Sequence, residues 1–266
     1  MALNTDRRRI NGPEESFHPD FVERQATSDS SKRWNPGEPR NGRGASDIRP
    51  IFLKAGLISQ ANGSAYIETE RTKLVCAVYG PRQSKSTSYS EKGKLNVEVK
   101  FAPFSCTRRR VPNRDAEDRP IAMLIQRSLN AAVRLELFPK STIDIFITII
   151  ENDGIEGCVA SGTVAASTAL AQARIEMLGM VMSCSAANTA DVGKELWLDP
   201  TDAESRLASG ILVLACLPAL GIVTNVWQSG KMIPARAIDC MKACQERCAD
   251  IHSVVAQALL DNVKET

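Results

Sequence analysis

The run "TIDIFITII", Thr142–Ile150, and the stretch "CVASGTVAASTALAQARIEML", Cys158–Leu178, together decide the fold. The first is dense in β-branched residues, which fit a pleated, half-buried strand. The second is built mainly of Ala, Ser, Thr, Gly and Val, and it predicts a helix thin enough to lie close against a sheet. A strand handing over to a close-packed helix is therefore the kernel.

The flanking text extends it. "GSAYIETERTKLVCAVYG", Gly63–Gly80, alternates as two strands around a short polar turn, a β-hairpin. "KLNVEVKFAPF", Lys94–Phe104, alternates again and gives a third strand. Pro120 is tolerated near the first turn of a helix, and Ile121, Leu124, Ile125, Leu129 and Leu137 mark the apolar face of the helix that follows. Downstream, "MVMSCSAA", "ELWLD", "ILVLACLP" and "IVTNVWQSG" are short strands. The chain closes on a long helix, "PARAIDCMKACQERCADIHSVVAQALLDNV", with Ile238, Met241, Ile251, Val255 and Leu259 on or near one face. Strands in runs with helices between them argue an α+β class, a mixed β-sheet domain packed with helices.

Organised structure is expected over residues 49–266, behind a polar N-terminal extension, residues 1–48. Its text "SDSSKRWNPGEPRNGRGASD", Ser28–Asp47, is too polar to bury the surface that would order it. It reads either as a solvated, disordered tail or as an arm that orders on a partner, with "DRRR" at Asp6–Arg9 and Phe17, Phe21 and Trp34 as anchors. Net charge is only +2 over 266 residues, so a nucleic-acid role needs local basic clusters rather than a global field. No apolar run approaches the ~18 residues that span a bilayer. The opening "MALNTDRRRINGPEES" lacks the apolar segment of a secretory signal. The expectation is a soluble intracellular protein.

In that setting the eight cysteines are expected to be reduced and mostly buried. Cys240, Cys244 and Cys248 form a C-x3-C-x3-C stripe that His252 extends. At ~1.5 Å per residue these four positions span roughly 18 Å, too far for one tetrahedral zinc centre. The stripe reads as helix packing, and no metal is expected there.

The chain has no G-x-x-x-x-G-K-[ST], no G-x-G-x-x-G after a strand and no G-x-S-x-G. Its two histidines, His18 and His252, sit in the extension and the last helix, which argues against a His-based triad. Basic clusters are the better signal. Arg108, Arg109 and Arg110 are consecutive, with Arg114 and Arg119 near; Arg82, Lys85, Lys92 and Lys94 occupy another loop beside Tyr89. Both loops flank the strand that starts at Lys94, which suggests related edges of one sheet. Clustered guanidinium groups bind phosphates; the alternative is a solvated polar surface.

A second candidate is the acidic text "ELWLDPTDAESRLASG", with Glu195, Asp199, Asp202 and Glu204. Metal-assisted phosphoryl chemistry needs two or more carboxylates converging on a cation. An Asp-Pro-Thr-Asp turn also uses Asp for local hydrogen bonding without any metal. Both readings stand at this point.

Taken in order, "GLISQANGSAYIE", "TKLVCAVYGPR", "VEVKFAPFS", "SLNAAVRLELFPKSTIDIFITIIENDG" and "LWLDPTDAE" resemble the RNase PH family from about Arg49 to the C-terminus. "YGPR" and "LFPKSTIDIF" resemble in particular the ring subunits of eukaryotic and archaeal RNA exosomes. The resemblance implies a mixed β–α domain that pairs with a second, three pairs closing into a ring with RNA threading its pore. It implies as partners other RNase PH-like ring subunits in a hetero-hexamer, RNA-binding cap subunits and RNA, and placement in nucleus, nucleolus and cytoplasm. Active members cleave the RNA 3′ end by phosphorolysis, using a phosphate-binding arginine and two aspartates six residues apart that hold a divalent cation.

Aligned on "AASTAL", this chain has Val159 at the arginine position with Cys158 beside it. Asp199 matches the first aspartate; the second position falls on the uncharged Ser205, with Asp202 and Glu204 out of register. The resemblance therefore implies a non-catalytic subunit of the exosome core ring, with no cofactor and with Asp199 as a remnant. Such a subunit supports 3′-to-5′ RNA processing and degradation, rRNA maturation included. On the RNA side Arg82 matches a pore-facing loop. The family's paired arginines before the first long helix fall on Ala116 and Glu117, leaving Arg108, Arg109 and Arg110 as substitutes. Two rivals remain: an active phosphate-dependent 3′-to-5′ exoribonuclease using Asp199 with Asp202 or Glu204, and a free-standing RNA-binding module.

Overall fold

In a computed structural model the β-branched run lies inside a five-stranded sheet, hydrogen-bonded on both sides. The structure describes residues 40, 43–84, 89–106, 109–110, 115–188 and 196–265. The chain divides into two units, residues 1–35 and 36–266, and every described residue lies in the second. Along the chain come β1 (Phe52–Ala55), β2 (Gly63–Thr69), β3 (Thr72–Gln83), β4 (Lys94–Phe101), α1 (Asp115–Asn130), β5 (Ser141–Glu151) and α2 (Ile155–Gln172). Then follow β6 (Met182–Asn188), β7 (Leu196–Leu198), α3 (Asp202–Leu207), β8 (Gly210–Leu217), β9 (Ile222–Gly230) and α4 (Pro234–Glu265).

The first sheet has the order β1-β2-β3-β5-β4. All its pairs are antiparallel except β4 with β5, which is parallel and so needs a crossover; α1 supplies it. Period-2 alternation sends Ile143, Ile145, Ile147 and Ile149 of β5 into the core and leaves Phe146 and Thr148 on the outer face. The second sheet is antiparallel, β7-β6-β8-β9.

The composition of α2 follows from its place. It packs on β2 and β3 on one side and on β6 and β8 on the other, so it has no solvent face over Gly157–Leu170. Only small side chains let two sheets close on one helix. A Cβ at Gly63 in β2 would collide with the Ala169 carbonyl, and one at Gly162 would stand 2.9 Å from Ile125 Cδ1. Thr163 and Thr168, buried there, return their hydroxyls to the carbonyls of Val159 and Val164 at 2.8 Å.

α4 covers the far side of the second sheet and reaches β1. Its buried stripe is Cys240, Cys244, Cys248, Ile251 and Val255, so the C-x3-C-x3-C pattern is helix packing as expected. Seven of the eight cysteines are buried and all are free. Two apolar assignments need correction. Ile238 is 48% exposed, because it lies off the cysteine stripe. Leu137 is not on the face of α1, which ends at Asn130; it sits in the 3-10 turn Leu135–Leu137, half in solvent. The strand β1 and the short helix α3 were not foreseen. Packing also begins ahead of Arg49: Arg40 is buried and belongs with residues 43–48 to the unit that holds both sheets. No described helix is long and apolar enough to cross a membrane.

Candidate functional site

The acidic text forms a strand-to-helix corner. β7 pairs with β6 through Ala186↔Leu198 and stops at Asp199, whose φ of 49° turns the chain. Aspartate is among the few non-glycine residues that occupy this left-handed region readily. Its N–H donates to the Ser185 carbonyl at 2.8 Å. Thr201 then caps α3. Its hydroxyl accepts the Glu204 N–H at 3.4 Å, and the Glu204 carboxylate accepts the Thr201 N–H at 3.0 Å. This reciprocal pair is a capping box.

Two buried arginines from the N-terminal side of the domain meet these carboxylates. Arg49, with no side-chain exposure, donates from Nε to Asp199 Oδ2 at 2.8 Å and from Nη2 to Oδ1 at 2.6 Å. Its backbone N–H adds a third bond at 3.0 Å, and its Nη1 reaches Asp153 Oδ2 at 3.0 Å. Arg40 grips Glu204 in the same fork, Nε to Oε1 at 2.9 Å and Nη2 to Oε2 at 2.7 Å. It also donates to the Leu198 carbonyl at 2.9 Å. Arg43 stands 4.0 Å from Asp199 Oδ2. Such bidentate pairs are the strong geometry for a guanidinium and a carboxylate.

Electrostatics follow the geometry. Burial works against the charged form of Asp199, but the Arg49 hydrogen bonds outweigh it and hold this carboxyl below its ordinary value of 3.8. Burial likewise opposes charge on Arg49, and Asp199 with Asp153 more than offsets it, so the guanidinium is held more firmly protonated than usual. Glu156, in the first turn of α2, is pushed up by burial and by the nearby Asp202.

These carboxylates do not fit a divalent cation. Asp199 is committed to Arg49 and Glu204 to Arg40, while Asp202 turns outward to Arg206 at 2.7 Å. Glu195 lies outside the described residues. Among the described residues no three His, Cys, Asp or Glu side chains gather to hold a metal. Ser205 is half-buried, its hydroxyl without a hydrogen-bond partner. Val159 sits in the core cluster at 3% exposure, and Cys158 beside it donates to Asn152 Oδ1 at 2.9 Å. The turn into α2 abuts the acidic corner. Gly154 at its N-cap has φ 106°, and a Cβ there would lie 3.6 Å from the Asp202 backbone.

The basic loops do not form one patch. Arg82 and Lys94 both stand opposite Thr142, in one row across β3, β5 and β4. Arg82 is exposed and its guanidinium lies 5.0 Å from the Tyr79 ring; Lys92 and Lys94 are exposed nearby. The loop after Phe101 leaves the other end of β4, seven residues or about 23 Å away. It runs beside the turn into α2, where Asn152 N–H donates to the Ser105 carbonyl at 2.9 Å. Arg109 is exposed there. Arg110 packs 3.9 Å over the Phe101 ring and pairs with Asp118 at 3.0 Å. Arg108, Arg114 and Lys85 lie outside the described residues, whereas Arg119 is exposed on α1. The expectation of related sheet edges is therefore corrected: one basic end holds Arg82 and Lys94, and the opposite end borders the acidic corner.

The profile of the 3′ exoribonuclease family, domain 1 (RNase PH), matches residues 47–176. The Mtr3 exosome component of Schizosaccharomyces pombe is 33% identical over 260 residues, 96% of each chain. This chain belongs to the RNase PH family. The Homo sapiens Mtr3 exosome component is also similar, 32% identical over 96% of this chain and 94% of that one. Both Mtr3 components match 96% of this chain, so the similarity runs beyond residues 47–176. Among solved structures, a chain of the Archaeoglobus fulgidus exosome with RNA bound to the active site has TM-score 0.71 at 17% identity, over 82% of this chain and 92% of that one. Rice Rrp46 has TM-score 0.68 at 20% identity, over 83% and 98%. Both place this chain in the RNase PH fold.

Reading the sequence missed Arg40, Arg49 and Asp153. One usable signal was present: the T-x-x-E spacing of Thr201 and Glu204 announces a helix cap and assigns Glu204 a local duty.

Proposed function

We propose that this chain is a non-catalytic ring subunit of an RNA exosome. It binds RNase PH-like neighbours and RNA-binding cap subunits, and it helps guide RNA through the pore toward 3′-to-5′ processing and degradation elsewhere in the complex. One observation carries the non-catalytic part: the carboxylates that would hold the cation are consumed by Arg49 and Arg40 as internal counter-ions. The second aspartate position is Ser205, and the phosphate-binding position is the core residue Val159. A phosphorolytic transition state needs both a cation and a cationic phosphate cradle to offset its charge. Similarity to Mtr3 exosome components supports the ring assignment. The exposed row of Arg82 and Lys94 supports RNA guidance, and placement in nucleus, nucleolus and cytoplasm is part of the same proposal.

Incubating the purified chain with 3′-tailed RNA, inorganic phosphate and Mg²⁺ tests it. No nucleoside diphosphate is expected, and Ser205→Asp alone leaves the chain inactive because Val159 is unchanged. Diphosphate release that disappears in a folded Asp199→Asn variant sinks the proposal. So does a chain that stays monomeric beside every ring partner.

A further inference from the structure

Four strands bound the two sheets: β1 and β4 in the first, β7 and β9 in the second. An edge strand presents a row of unpaired N–H and C=O groups, and proteins blunt such edges with short strands, charge, proline or cover. β1 has four residues and β7 three. β4 carries Lys94, Glu98 and Lys100. β9 has none of these protections. Its nine residues, "IVTNVWQSG", contain no charge and no proline, and among the described residues no strand pairs with its outer side. A register shift beside Thr224 kinks it, yet Asn225–Gly230 remain in continuous pairing with β8.

Apolar side chains gather along the same stretch. Ile222 is 53% exposed, Val223 39% and Val226 42%, with Leu220 before the strand at 51% and Ile233 after it at 69%. Unpaired backbone groups between exposed apolar side chains specify a β-strand as occupant, because only a strand satisfies both. Size narrows the choice further. An edge about 30 Å long and about 10 Å thick offers on the order of 300 Å², against about 800 Å² per partner in a standard interface. The occupant must therefore reach beyond the strand itself, as the edge of another folded sheet does and a lone peptide does not. Charge sets its composition: the matched strand is uncharged, and the exposed Lys231 at the end of β9 calls for a carboxylate beside it.

We infer that β9 pairs with an uncharged edge strand of a neighbouring subunit and joins the two sheets, with a carboxylate of that subunit facing Lys231. The inference rests on the reading of this chain as a ring subunit. To test it, the full chain is co-expressed with the other RNase PH-like ring subunits of its organism. Amide hydrogen exchange is then compared between the assembly and the isolated chain. Exchange over Asn225–Gly230 is expected to slow at least ten-fold in the assembly. Val226→Lys should weaken assembly at least ten-fold while leaving the circular dichroism and melting of the isolated chain unchanged. An assembly in which β9 exchanges as it does in the isolated chain overturns the strand pairing and leaves the ring reading standing. A chain that enters no ring overturns both.

Discussion

Arg49 is the residue on which the acidic corner depends. Its guanidinium has no solvent exposure and satisfies Asp199 and Asp153 at once. Removing one member of a buried pair leaves an uncompensated charge, which costs roughly 3–5 kcal/mol. Arg49→Met is expected to lower stability by about that amount, read from urea midpoints at neutral pH. Asp199 supplies a second measurement. Its folded pKa lies below 3.8, so its stabilisation is complete above that value and is lost as pH falls through the lower folded one. Asp199→Asn should therefore be less stable than the parent at pH 5, with the gap closing as pH drops below 4. A gap that stays constant down to pH 2 would show that the pairing contributes nothing.

At the level of elements, α4 and α2 show what local pattern can reveal. The small residues of α2 are legible because few environments require fourteen successive buried positions. The β-branched alternation of β5 is legible for the same reason. The acidic corner is not, since the partners of Asp199 and Glu204 lie 150 and 164 residues away and leave no mark on its spacing. Burial of the cysteine stripe has a chemical consequence. Burial raises the Cys240 thiol, a hydrogen bond to Cys184 with burial raises Cys244, and one to Cys216 with burial raises Cys248, so these sulfurs stay protonated and inert, as burial keeps Cys76 and Cys158 elsewhere in the core. A thiol reagent such as Ellman's is expected to titrate only Cys106 rapidly in the native chain and all eight cysteines in denaturant. Rapid native reaction at Cys244 or Cys248 would mean that α4 lifts from the second sheet.

On the scale of the molecule, the two basic ends of β4 have different neighbours and should have different effects. Arg82 and Lys94 stand away from the acidic corner, whereas the loop that carries Arg109 is tied at Ser105 to the turn into α2. In the assembled ring, Arg82→Glu is expected to weaken RNA binding and to lower the salt dependence by about one counterion per lost phosphate contact. Arg110→Glu should instead reduce stability, since Arg110 already serves Phe101 and Asp118. RNA affinity unchanged by Arg82→Glu across a salt series would remove that end from the RNA path.

The grip of Arg40 on Glu204 also sets a timetable during synthesis. The acceptor is encoded 164 residues after the donor. At about 5–20 residues per second, a ribosome needs roughly 8–33 s to travel between them. For that interval the nascent chain carries Arg40 without its counter-ion. The clasp closes only once Glu204 has left the exit tunnel, so translation pausing between Arg40 and Glu204 prolongs the time this segment remains open to nascent-chain binding factors.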